Sequence, residues 1–266
     1  KKLLQKTTGA ILTTGPTGSG KTTTLYAFVK FVNNSEMKVI TVEDPIEYHI
    51  EGITQTQVDA EAGYTFAGGL RAIVRQDPDV ILIGEMRDKE TAEIAMQAAL
   101  TGHLVFSTIH TNNAAGTVPR LIDLGVKPQS IAPAINAMMA QRLVRRLCQK
   151  CKKQQNPIAD DLAILKKYLD PIATQFKLPS LDENLQISYP IGCDECNTLG
   201  YKGRIGVYEI IVMNDELGRL ILQSPAISQI QDIALKNNLI TLLQDALMRV
   251  VSGITSMQEV MNVIGE

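Results

Sequence analysis

Histidine is scarce in this chain, with three residues in 266, and cysteine is nearly as scarce, with four. No apolar run approaches the roughly 18–20 residues that span a bilayer. The opening stretch "KKLLQKTTGA" has no extended apolar segment and so does not read as a signal peptide. An excess of basic charge is missing too: 26 Lys and Arg against 28 Asp and Glu give a net charge of -2, which speaks against a general nucleic-acid binder. Internal repeats and low-complexity segments are lacking. What is present is a hydrophobic content of 45% with a mean hydropathy of +0.03, the composition of a globular protein with a real core. Its length suits one large domain, or one domain with a small appendage. Because the chain runs within a few residues into a glycine-rich motif, we read it as part of a longer protein whose N-terminal domains lie outside it.

The first half alternates β and α signals. "AILTT" is a short apolar strand, and Leu25, Phe28, Val29 and Val32 follow at helical spacing. "KVITVE", "DVILIG" and "HLVFST" are continuously apolar, as parallel strands buried on both faces are. Asp88 is placed to cap a helix that runs to about Leu100, with Gly102 as its stop. The pattern predicts a doubly wound α/β domain with its ligands at the carboxyl ends of the strands. From about Pro128 the Ala- and Met-rich sequence reads as helical and leads into the basic "QRLVRRLC". Residues 152–190 form a polar, proline-punctuated insert. The tail after Asn214 reads as several short helices, the last opening with a capping-box pattern from Ser256 to Glu259.

Three strand ends carry the candidate chemistry. "GPTGSGKT", residues 15–22, sits between a strand and a helix, the context a phosphate-binding loop requires. Gly15, Pro16, Thr17, Gly18, Ser19 and Gly20 form the loop, whose glycines let backbone N–H groups curl around a phosphate, aided by the helix N-terminus that runs on through Thr23. Lys21 reaches the β- and γ-phosphates and the Thr22 hydroxyl offers a Mg²⁺ ligand. "EDPIEY" ends the second strand with Glu43, Asp44 and Glu47, any of which could orient or deprotonate an attacking water; the alternative is a solvated acidic turn. "DVILIGE" ends in Gly84-Glu85 where many phosphate-loop proteins have Asp, and Glu85 would still reach the Mg²⁺ shell through a water.

Two of the three histidines, His103 and His110, bracket one strand, "TGHLVFSTIHT". Seven residues separate them, roughly 23 Å if fully extended at about 3.3 Å per residue, so both cannot reach one γ-phosphate. We expect His110 to face the nucleotide and His103 a neighbouring wall or subunit. Arg71 and Arg75 share one helical face, which suits either an arginine offered to a neighbouring subunit's site or a plain salt bridge. "RLVRR" suits a solvated or subunit-contact face, or a membrane-platform contact. Cys148/Cys151 and Cys193/Cys196 are paired C-x₂-C units, and in a chain without secretion signals these read as ligands of a tetrahedral structural zinc sooner than as disulfides.

Taken in order, "GPTGSGKTTTLY", "ITVEDPIEY", "RQDPDVILIGEMRD" and "TGHLVFSTIHT" closely resemble the secretion ATPases of type II secretion and type IV pilus systems, where they are the Walker A, Asp box, Walker B and His box. The resemblance extends through "AQRLVRRLC" and "GYKGRIGVYEII" to the tail. It implies a RecA-like phosphate-loop ATPase core over residues 1–140, a zinc-binding tetracysteine element with a long insert over 141–210, and a C-terminal helical region over 211–266. It implies that Lys21 and Thr22 hold phosphate and Mg²⁺, that Glu47 is the catalytic base, that Glu85 serves Mg²⁺ and water, and that both histidines belong to the His box. It further implies ATP, Mg²⁺ and Zn²⁺ as ligands, a homo-hexamer acting on an inner-membrane platform protein at the cytoplasmic face, and no nucleic-acid partner. The tetracysteine element is typical of pilus-assembly and type II secretion members and usually absent from retraction ATPases, although 41 residues between Cys151 and Cys193 exceed what the family leads one to expect. We expect a pilus-assembly motor, with a type II secretion ATPase or a nucleotide-gated module of little turnover as alternatives.

Overall fold

The computed structural model describes residues 2–265. The chain runs β1 (Gly9–Thr14), α1 (Lys21–Val32), β2 (Val39–Glu43), β3 (Thr54–Gln57), α2 (Phe66–Val74), β4 (Val80–Ile83), α3 (Lys89–Leu100), β5 (Leu104–Ile109), α4 (Thr117–Asp123), α5 (Pro128–Ala134) and β6 (Ile135–Leu147). It continues through β7 (Lys153–Gln155), α6 (Ala159–Leu169), α7 (Ala173–Phe176), β8 (Ile187–Tyr189), β9 (Tyr201–Val212), α8 (Asp215–Ile221), α9 (Ile227–Lys236), α10 (Leu242–Val251) and α11 (Met257–Val263). Seven strands form one sheet in the order β3-β2-β4-β5-β1-β6-β9, and β7 pairs with β8 separately. The chain divides into two compact units, residues 1–140 with 210–239 and residues 141–209 with 240–266, so the boundary falls within β6 and within β9.

In the first unit β5 pairs in parallel with β1 and β4, and β2 with β4 and β3. The apolar runs explain why. Val80, Leu82, Leu104 and Phe106 cluster with Leu25, Tyr26, Val29 and Val32 of α1. Ile81, Ile83 and Val105, which alternate with them, are equally buried, as strands covered on both faces must be. Each such side chain contributes about 2 kcal/mol of transfer free energy. On α1 the buried face includes Tyr26, fully enclosed, while Phe28 is only half-buried, tilted against Phe106 at 5.7 Å. Asp88 caps α3 as its sequence demands, accepting the Thr91 N–H at 2.8 Å, and Gly102 takes the positive φ (+116°) that ends it.

The helical reading beyond Pro128 is right only for α5. From Ile135 the chain is strand β6, whose first seven residues are all buried and which pairs in parallel with β1 through Ile135 and residues 137–140. Ala and Met favour helices intrinsically, but here a fully buried sheet position decides, and tertiary packing overrides propensity. Edge strand β3, "TQTQ", carries no apolar signal and its residues are half-buried or exposed.

In the second unit the insert is folded: β7 and β8 form an antiparallel pair, with α6 and α7 between them. Ser256 caps α11, accepting the Glu259 N–H at 3.2 Å. The Glu259 carboxylate does not return the bond. It takes the backbone N–H of Arg145 at 2.9 Å and the guanidinium at 2.6 and 2.8 Å, while Arg145 lies over the Tyr201 ring at 4.1 Å. Arg145 of the basic "RLVRR" run is therefore held by a structural ion pair. Arg71 pairs with Glu90 of α3.

Candidate functional sites

The loop after β1 is built on three left-handed glycines, Gly15 (φ +146°), Gly18 (+78°) and Gly20 (+86°). A Cβ on Gly18 would meet nothing within 4 Å, so the requirement there is conformational and not one of space. Gly20 launches α1 with no side-chain cap, leaving the first-turn N–H groups directed out of the helix end. The Lys21 ammonium bonds the carbonyls of Gly15 at 2.9 Å and Pro16 at 3.1 Å, bridging the mouth of the loop. A ring of N–H groups with one mobile cation is an anion cradle.

The neighbouring strand ends converge on this loop. β5 ends beside β1, and the Thr111 N–H donates to Thr14 Oγ1 at 2.7 Å, tying the segment after His110 to the start of the loop. Glu85, just past β4, is largely enclosed and lies between His110 Nε2, 3.3 Å from its Oε2, and the Arg87 guanidinium. Arg87 also stands 4.0 Å from Asp44, and its hydrogen bond to Glu85 raises its pKa further. Glu85 and His110 are thus in contact, whereas His103 sits at the other end of β5, its Nδ1 2.9 Å from the Ala98 carbonyl of α3. Glu47 is exposed with its backbone N–H held by Tyr26. Glu43, by contrast, is 2% exposed and turned inward, which removes it from the three carboxylates considered for direct contact with a substrate. Arg87 and Tyr26 were not singled out as site residues in the sequence. For Arg87 the signal is a cation two residues past Glu85; for Tyr26 none exists without the register of α1 on β2.

In the second unit the four cysteine sulfurs lie within 4.8 Å of one another. Three of the pairs stand at 3.8–3.9 Å: Cys148 with Cys193, Cys151 with Cys196, and Cys193 with Cys196. A disulfide needs about 2.05 Å. A tetrahedron with Zn–S of about 2.3 Å has edges of about 3.8 Å, so the donor set fits zinc. Backbone N–H groups already serve the sulfurs: Gly192 to Cys151 at 3.3 Å, and Cys193 and Gly200 to Cys196 at 3.3 and 3.2 Å. Burial opposes charge at Cys196, yet these N–H groups bring its pKa down to about 7, while burial and its sulfur neighbours push Cys193 up to about 11. Cys148, Cys151, Cys193 and Cys196 would hold the metal, which would supply a structural cross-link and no open position.

A mostly parallel α/β sheet with a glycine cradle at the end of β1 defines a phosphate-loop domain, and the second unit carries the tetracysteine centre. The chain belongs to the Type II/IV secretion system protein family, whose pattern matches residues 1–262. It is 47% identical over 99% of its length to "Type II secretion system protein E" of Pectobacterium carotovorum subsp. carotovorum, covering 50% of that protein. It is 42% identical over 98% of its length to "Type IV pilus assembly ATPase PilB" of Thermus thermophilus, covering 28% of it. Among solved structures it resembles the "Pilus Retraction Motor PilT and Bound ADP", with a TM-score of 0.69 and 29% identity over 98% of this chain and 62% of that one. The chain spans about half the length of the type II secretion relatives it matches. Among the described residues no helix is long and apolar enough to cross a membrane.

Proposed function

We propose that this chain is the ATP-hydrolysing motor domain of a secretion ATPase, working as a homo-hexamer on an inner-membrane platform protein at the cytoplasmic face. The observation that carries the reading is that Lys21, Glu85 and His110 share one end of the sheet with the glycine cradle, with Glu47 exposed just past β2, the strand beside β4. In this reading the loop from Gly15 to Gly20 and the N–H groups of Lys21, Thr22 and Thr23 hold the phosphates. Lys21 exchanges the Gly15 and Pro16 carbonyls for phosphate oxygens. Thr22 and Glu85 would hold Mg²⁺, which would supply positive charge to neutralise the phosphates. The Glu47 carboxylate takes a proton from a water whose oxygen bonds to the γ-phosphorus as the bond to the β-phosphate oxygen breaks and ADP leaves. His110, oriented by Glu85, faces the γ-phosphate.

Type II secretion is favoured as the process served, because relatives bearing that name match at 43–47% identity over nearly the whole chain. Pilus assembly is the second reading, supported by the relative of that name at 42% identity. The test is ATP hydrolysis per subunit as a function of protein concentration, with Glu47→Gln as control. A ring motor gives specific activity that rises with concentration and falls about 10²–10⁴-fold in Glu47→Gln with ATP still bound. A flat, negligible rate beside tight ATP binding would mean either that a domain outside this chain completes the site or that the chain is a switch.

A further inference from the structure

Tyr26 lies on α1 five positions beyond Lys21, fully buried, its ring edge-on to Tyr48 with centroids 4.7 Å apart. A tyrosine placed this deep needs partners for its hydroxyl, and it has two of opposite kind. The hydroxyl donates to Glu43 Oε2 and accepts the backbone N–H of Glu47 at 3.2 Å. Glu43 Oε1 takes Thr41 Oγ1 at 2.5 Å and Gln55 Nε2 at 3.2 Å, so both carboxylate oxygens are satisfied. A phenylalanine facing an aliphatic residue would fill the same volume without desolvating a carboxylate, which costs several kcal/mol before its hydrogen bonds are counted.

The polar pair fixes a direction. A carboxylate only accepts, so the phenol proton points at Glu43 and an oxygen lone pair is left facing the Glu47 N–H. Burial, reinforced by the hydrogen bond and charge of Glu43, raises the Tyr26 pKa, and the phenol keeps that proton throughout the working pH range. The rest of the turn is held in the same manner, by main-chain atoms. Gln57 Oε1 takes the Ile46 N–H at 3.1 Å, and Gln55 bonds the Tyr48 carbonyl at 3.3 Å and the Ile50 N–H at 2.8 Å. Side chains of Asp44 and Glu47 stay exposed. The result is a pinned turn that presents an exposed Glu47 carboxylate and is anchored, through Tyr26, to the helix whose first residue is Lys21.

We propose that Tyr26, oriented by the buried Glu43, is a positioning residue for hydrolysis, setting where the Glu47 carboxylate stands relative to the phosphate loop. This rests on the reading of Glu47 as the base. Tyr26→Phe keeps the ring and removes both bonds of the hydroxyl; Glu43→Gln keeps the shape but supplies a donor, letting the phenol turn its proton toward the Glu47 N–H. In the full-length assembled protein each substitution should lower kcat about 10- to 100-fold, the cost of a base displaced by up to about an ångström, with ATP affinity unchanged. In a Glu47→Gln background Tyr26→Phe should bring no further loss, a non-additivity that a merely structural role would not produce. Unchanged kcat in both single variants, or a Tyr26→Phe loss repeated in full on top of Glu47→Gln, overturns the positioning role alone. Wild-type turnover in Glu47→Gln overturns the base assignment and the positioning role with it.

Discussion

The two centres of this protein both lie where strands and helices end, yet they are finished in opposite ways. At the cysteines, Cys148 and Cys196 are 2% and 4% exposed, the sulfurs stand at ligand spacing, and backbone N–H groups donate to the Cys151 and Cys196 sulfurs. At the strand ends, Glu47, Asp44, Arg87 and His110 are all exposed, with Arg87 beside Glu85 and Asp44 and with His110 against Glu85. A closed set of four donors completes its own coordination and has nothing left to offer a substrate, which is the signature of a structural metal. The open set is held by its backbone and leaves its side chains to the solvent, where a ligand can recruit them. The difference lies less in residue type than in which part of each residue the fold immobilises.

The largest expected effect breaks the closed half of that contrast. Cys148→Ser, or a strong chelator, should remove a single zinc per chain and sharply lower the unfolding midpoint of the second unit, since structural zinc contributes on the order of 10 kcal/mol to folding in small domains. Release should become easier as pH falls, because the thiolates that ligate must reprotonate. ATP binding to the phosphate loop should survive. Protein purified without chelator and free of zinc by metal analysis would end the zinc assignment.

A smaller effect tests whether the second unit is closed elsewhere too. Glu259 is 3% exposed and carries the guanidinium and backbone N–H of Arg145. Glu259→Gln should cost about 2 kcal/mol in chemical denaturation, less than a wholly buried pair would lose, because the Arg145 side chain is 47% exposed and regains water. A change under about 0.5 kcal/mol would place this ion pair with ordinary surface pairs.

The same contrast explains what could be read in advance. The strands that end in chemistry are short apolar runs, followed by glycine or acid at β1, β2 and β4 and by His110 at β5, and these signals are local. β6 was not legible, because its Ala, Met and Gln residues are strand only by virtue of lying beside β1 in a buried ladder. β3 carries four polar residues at the sheet edge and has no periodicity to read. Among site residues, Lys21 and Thr22 follow from a contiguous motif and the cysteines from their spacing. Tyr26 acts through Glu43, 17 positions away, and no local pattern encodes that; Arg87 has a local partner in Glu85, two positions before it, and only its second contact, Asp44, is distant. The capping box at Ser256 is half legible: the hydroxyl does what its motif says, while Glu259 answers a residue 114 positions distant.

The smallest expected effect concerns the two histidines of β5, where the contrast is repeated within a single strand. His110 is exposed at the carboxyl end, against Glu85. At the amino end His103 is half-buried, its Nδ1 and its backbone N–H both directed at the Ala98 carbonyl, at 2.9 and 3.2 Å. Ala98 lies in the last turn of α3, where carbonyls lack helical partners and the helix end carries partial negative charge, so an imidazole donor there acts as a C-terminal cap. His103→Ala should therefore cost about 0.5–1 kcal/mol in thermal denaturation, the usual worth of one such bond, and leave turnover per assembled subunit unchanged. Turnover lost at full stability would instead assign His103 to a contact with a neighbouring subunit, and both ends of the strand would then belong to the motor.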